Sequence, residues 1–210
     1  RSSIVRRLDV ERDPVGLSAL LLAVGGLGGR PELAVVEPFT RHAELRVRAA
    51  AVTALGDLGG PVARERLLAL LAAPGTDPEW ALRGSVLLAL ARCGTPADSG
   101  TILVAYREGG GAAQWFARAA LSSAMAALDP DPVPLLDRLC ADPVARVSSA
   151  AALAFVRAGR VDEVVRRLAD ARPGGQAAAA AAVGAAVLRR AIPQVLALAT
   201  GDPDRSVRWS

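Results

Sequence analysis

Lysine is absent from this chain of 210 residues, and histidine, methionine and tyrosine occur once each. Aromatic residues make up only 3% of it and there are two cysteines. Each shortage excludes something. His42, the one histidine, and two distant thiols, Cys93 and Cys140, cannot supply the spaced ligands of a zinc site, so no metal is expected. The two cysteines stand in separate apolar stretches and read as small buried hydrophobes, not as a disulfide framework. The longest uncharged helical run, residues 176–188, is shorter than the ~20 residues that cross a bilayer, and no membrane association is expected. Runs of alternating β-branched residues are missing too, which argues against strands.

Motifs of chemistry are equally scarce. There is no nucleophile elbow, phosphate loop or dinucleotide fingerprint. The glycine-rich run 25–29 follows a helical stretch, not a strand, and so makes a poor phosphate cradle. Acidic pairs such as Asp162 and Glu163 stand beside Arg166 and Arg167 at the spacing of a solvated helix face. No catalytic residue and no cofactor are expected, and the chain does not read as an enzyme.

Charge of one sign is not concentrated anywhere. All 25 basic residues are Arg, against 21 acids, for a net charge of +4. Residues 1–105 hold 12 Arg and 11 acids; residues 106–210 hold 13 and 10. A sequence pI of 10.3 overstates the basic character, because a Lys-free chain with one Tyr has little to titrate near pH 10. The basic footprint of a nucleic-acid binder is missing, so nucleic acid is not an expected partner. The Arg-rich, Lys-free composition fits a GC-rich genome.

What the sequence does have is small aliphatic residues in a repeating order. In residues 45–59, Val47, Ala50, Ala51, Ala54 and Leu55 form one apolar helical stripe, closed by Gly56 and Gly59. With Val47 as anchor, the pattern returns at Leu82, Ala117, Val147, Ala177 and Val207, at steps of 35, 35, 30, 30 and 30 residues. A weaker first copy begins at Gly16, 31 residues before Val47. Such periods are the mark of a solenoid. Asp13-Pro14, Asp77-Pro78, Asp142-Pro143 and Asp202-Pro203 each precede a copy, with Asp suited to cap a helix and Pro to its first turn. Shorter second helices are predicted at 31–42, 61–71, 96–106, 133–140, 161–168 and 191–199. Pro38 predicts a kink or an early end in the first of these.

The order Asp-Pro, Val-Arg, Ala-Ala, Ala-Leu-Gly, then a Leu-rich second helix, resembles HEAT-like repeats of the short bacterial type, the phycobilisome-lyase kind included. Residues 45–71 and 202–209 match best, and the resemblance covers nearly the whole chain. It implies an all-α, right-handed α-solenoid of about six stacked helix pairs, a single array over 1–210. The chain starts without Met and stops within a copy, so it reads as part of something longer. Arg48, Arg83, Arg118 and Arg208 share the position after the anchor, and the resemblance implies an inter-repeat polar ladder of Arg and acids there. Ser148 and Ala178 interrupt it. Trp80 and Trp115 each lie two residues before an anchor, which is expected to set them side by side in adjacent repeats, as packing or as a binding hot spot.

Two functions follow as expectations. The first is a cytoplasmic, non-enzymatic scaffold that binds a protein partner, or other domains of its own chain, on the concave face lined by second helices. Outward positions there include Val133, Asp137, Asp162, Arg166, Pro193 and Ala197. The alternative is nucleic-acid binding of the kind found in HEAT-like alkylpurine DNA glycosylases. The spacing of Trp80 with Arg83, and of Trp115 with Arg118, resembles theirs. The absence of Lys, of basic bias and of an Asp beside either Trp departs from it. Hydrogen exchange is expected to be fastest at the C-terminal end, where no polar cap is visible.

Overall fold

A computed structural model of the chain describes residues 2–27, 33–73, 80–108, 114–160 and 162–164. All regular structure among them is helical, with no strand. The chain forms two compact units, residues 1–117 and 118–210, taken here in turn.

The first unit begins with α1 (Ser2–Val10) and α2 (Pro14–Leu27). Asp13 caps α2: its Oδ2 accepts the Gly16 N–H at 2.8 Å and its carbonyl accepts the Leu17 N–H. Leu8 closes α1 onto α2, while Ile4 and Val5 are only half-buried. The predicted second helix at 31–42 is short and broken. It consists of α3 (Leu33–Val36) and a 3-10 turn, Glu37–Arg41, whose first positions hold Pro38. A proline there lacks the N–H that would continue the α-helix, so the ladder tightens.

Then come α4 (Leu45–Leu58), α5 (Gly60–Ala72), α6 (Trp80–Cys93), a 3-10 turn at Pro96–Asp98 and α7 (Ser99–Glu108). Gly59 at φ 65° and Gly60 at φ 83° make the corner between α4 and α5, a backbone conformation glycine adopts without strain. Layers follow the repeat. The first helices pack in succession, α2 on α4 and α4 on α6, and the second helices α5 and α7 pack together beside them. Val24, Leu55 and Leu90, each eight residues after its anchor, are buried between these layers.

The layers approach most closely at equivalent positions. Gly25 stands nine residues after its anchor and faces Ala54, seven after the next. A Cβ on Gly25 would lie 2.7 Å from the Ala54 Cα. Gly56 and Ala89 repeat this one layer on, where an added Cβ would lie 2.7 Å from the Ala89 Cβ and 2.8 Å from its Cα. The same two positions touching twice show that the period in the sequence is a period in the packing.

In the second unit, most of α8 (Trp115–Leu128) is followed by α9 (Val133–Cys140) and α10 (Ala145–Arg157). Its core gathers Leu136, Leu139, Val147, Ala151, Phe155 and Val164, with Ala126 of α8 against it. The Asp-Pro pattern departs here from the helix-cap expectation. Asp142 and Pro143 lie in the turn before α10, whose cap position is Val144. The Asp142 carboxylate instead accepts the Val144 N–H at 2.9 Å, closing a local turn.

Candidate functional site

The polar side chains this fold brings together are arginines set against turns. Arg48, in the first turn of α4, donates through Nη1 to the carbonyls of His42 at 2.8 Å and Ala43 at 2.7 Å. Arg83, one residue after the next anchor and 5% exposed, donates to the Ala73 carbonyl at the end of α5. Arg118 of α8 forks onto Asp142 through Nε at 2.6 Å and Nη2 at 3.1 Å. One position in three copies thus ties a first helix to a turn, by a carbonyl twice and by a carboxylate once. In the fourth copy Ser148 reaches only the Ala145 carbonyl of its own helix. Ala178 and Arg208 lie outside the described residues.

Two further ties were not anticipated. Arg64 of α5 forks onto Asp98 at 2.6 and 2.5 Å, and the Thr95 N–H and hydroxyl both donate to the same carboxylate. The sequence signal is Thr95 three residues before Asp98, at the start of a second helix. Arg64 and the two Thr95 bonds hold the Asp98 carboxyl at about 2, although its burial alone would raise it. For Asp142, burial pushes the pKa up, but the Arg118 fork and the Val144 N–H outweigh it and the net shift is down. Arg92 of α6 crosses back to α4, pairing with Asp57 at 2.8 Å and donating to the Thr53 carbonyl at 3.1 Å. Every buried side-chain nitrogen and oxygen among the described residues has a partner.

Arg48 and Arg83 also share a concave surface. With Arg41, Thr40, Leu70, Ala73, Leu82 and Val86 they line a cleft of about 310 Å3 in the first unit. Three guanidinium-bearing residues meet three aliphatic ones, and none of these lining residues is acidic. Thr40 uses its hydroxyl on the Glu37 carbonyl.

The aromatic and surface positions singled out in the sequence do not converge. Trp115 opens α8, is 38% exposed and meets Phe116 edge to face at 5.8 Å. Trp80 opens α6, but its side chain lies outside the described part, so its expected pairing with Trp115 does too. Asp137 is exposed on α9, and Asp162 is exposed in the helical turn 162–164. Arg166, Pro193 and Ala197 lie outside the described residues.

Reactive chemistry has little foothold. Burial raises the Cys93 thiol and pushes that of Cys140 up to about 11, so neither is a thiolate at neutral pH. His42 accepts the Glu44 N–H at 3.1 Å and stacks near Phe39. Among the described residues no three His, Cys, Asp or Glu gather to hold a metal ion. No described helix is long and apolar enough to cross a membrane. Comparison with known proteins returns no matching family model and no matching curated protein.

Proposed function

We propose that this chain is a right-handed solenoid of about six HEAT-like helix pairs that acts as a non-enzymatic, cytoplasmic interaction scaffold for a protein partner or for neighbouring domains. One observation supports it above the others. Successive first helices meet at the same pair of repeat positions, Gly25 on Ala54 and Gly56 on Ala89. Stacking of that kind produces the extended surfaces on which repeat proteins hold partners. The polar groups lend further support. Arg64, Arg92 and Arg118 are engaged in ion pairs between elements rather than aligned along a groove. A nucleic-acid track needs cations free to displace counterions from phosphates, and these three are committed.

Selection of displayed peptides on the immobilised full chain tests the reading. It is expected to enrich related sequences that bind with micromolar Kd. Titration with a fluorescent 20-base-pair duplex at physiological salt is expected to show binding no tighter than the nonspecific range of roughly 10⁻⁴–10⁻⁶ M. A duplex Kd in the nanomolar range, with no peptide enriched, overturns the proposal in favour of the glycosylase-like alternative.

A further inference from the structure

The cleft between the ends of α5 and the starts of α4 and α6 has a composition that selects a ligand. We propose that it receives the carboxylate of a glutamate or aspartate side chain on a partner peptide, with that peptide's adjacent aliphatic side chain resting on Leu70, Leu82 and Val86. The inference rests on the scaffold reading and names what the scaffold grips.

The charge is real and locally unopposed. Arg41 ends a 3-10 turn, is exposed, and makes no hydrogen bond or ion pair with another residue. Arg48 spends only Nη1, on two carbonyls that fix where its guanidinium lies. Its Nε and Nη2 remain as donors. Arg83 forms a buried wall, held by the Ala73 carbonyl. Glu37, the acid nearest before Arg41 in sequence, is drawn away by Arg66 at 2.9 Å. A planar guanidinium fork matches a carboxylate in two parallel hydrogen bonds, and Arg is weakly enough hydrated to give up water for it. A guanidinium already positioned by the protein loses little freedom on binding.

Shape and lining separate a peptide from a polyanion. A volume of about 310 Å3 sits at the low end of ligand pockets, room for one or two side chains. Leu70, Leu82 and Val86 offer nothing to a phosphodiester but a dry contact to an aliphatic group. Glu37 and Glu44, on either side of Arg41 in sequence, repel a ligand that carries charge all along its length.

The test is NMR titration of the 15N-labelled full chain with acetyl-Leu-Glu-Leu-amide, its Leu-Gln-Leu counterpart, and inorganic phosphate. The glutamate peptide is expected to shift the amides of Thr40, Arg41, Leu82 and Arg83, saturating in the millimolar range. The glutamine peptide should bind about 5-fold more weakly, the loss expected for a charge-assisted pair. Phosphate should bind more weakly than the glutamate peptide. Arg41→Ser, an exposed change outside any buried bond, should weaken the glutamate peptide about 3-fold and leave the glutamine peptide unchanged. Arg48→Gln on that background should abolish the difference. Equal binding of the two peptides, tighter binding of phosphate, or no shift at these amides overturns the inference. If selected peptides bind but ignore Arg41→Ser, the scaffold reading stands and the cleft assignment falls. If selection enriches nothing while the titration still saturates, the scaffold reading is the one that fails.

Discussion

The stack of α2, α4 and α6 and the core around α10 solve one packing problem in opposite ways. In the stack, the position nine residues after the anchor is Gly25 or Gly56, and neighbouring helices touch backbone to side chain. The position before it is Val24 or Leu55. In the second unit the matching pairs are Met125 with Ala126, and Phe155 with Val156. Met125 and Phe155 are both fully buried. As the contact residue grows from Gly through Ala to Val, its core neighbour grows from Val and Leu to Met and Phe. Interaxial distance depends on the side chains at the contact. Glycine lets helices close up on small core residues; a larger contact residue holds them apart and the core residue must fill the space. One repeat plan tolerates two spacings, provided both positions change together.

Phe155→Ala should break the second solution with the largest effect. Its ring is 0% exposed and centres the cluster with Leu136, Ala151 and Val164. Truncating a buried Phe costs about 3–5 kcal/mol, transfer and cavity terms together. Urea unfolding followed by hydrogen exchange on α9 and α10 should show that loss there. A cost below about 1 kcal/mol means the core is filled otherwise than described.

The ties between turns give a second, smaller effect, and one with a sign in pH. The Asp98 carboxyl is held at about 2 in the folded chain, below its ordinary 3.8. A depressed acid contributes stability that is full above the unfolded value and disappears as pH falls through the folded one. Asp98, 3% exposed, should therefore contribute about 2 kcal/mol at pH 7, lost between pH 4 and pH 2. Asp98→Asn should lower stability by about that much at pH 7 and flatten the acid limb. Asp142 acts in the same direction in the second unit. An unchanged acid limb in Asp98→Asn denies the Arg64 pair that role.

The sequence showed the helices well because their signal is local. The stripe from Val47 to Leu55 lies buried as expected, and the second helix predicted at 133–140 occupies those same residues. Pro38 announced its broken helix. The ties were harder to read. Asp142 looked like a helix cap because Asp-Pro usually is one. Two residues of turn before α10 instead turned its carboxylate toward Val144 and Arg118. Arg41 and Leu70 became neighbours across a cleft only because α3 gives way to a 3-10 turn. Thr40 and Arg41 therefore end in a tighter turn than a regular second helix would give them, a displacement no periodicity encodes.

The sharpest test of the comparison sets adjacent glycines against each other. Gly25 and Gly26 are consecutive in α2, with the same helical cost of about 1 kcal/mol relative to Ala. A Cβ on Gly26 meets nothing within 4 Å, whereas one on Gly25 meets the Ala54 backbone at 2.7 Å. Backbone cannot rotate aside as a flexible side chain can, so α2 and α4 must separate. Gly26→Ala should thus stabilise the chain by up to about 1 kcal/mol. Gly25→Ala gains the same helical term and sets it against overpacking of about 1–3 kcal/mol, for a net loss of about 1 kcal/mol. Gly56→Ala should match or exceed that loss, because its Cβ also meets Arg92 Nη2 at 3.0 Å and strains the Arg92 bridge to Asp57 and Thr53. Chemical denaturation of the three variants decides it. If Gly25→Ala stabilises as Gly26→Ala does, the layers are not held at glycine distance, and the paired growth of contact and core residues has another cause.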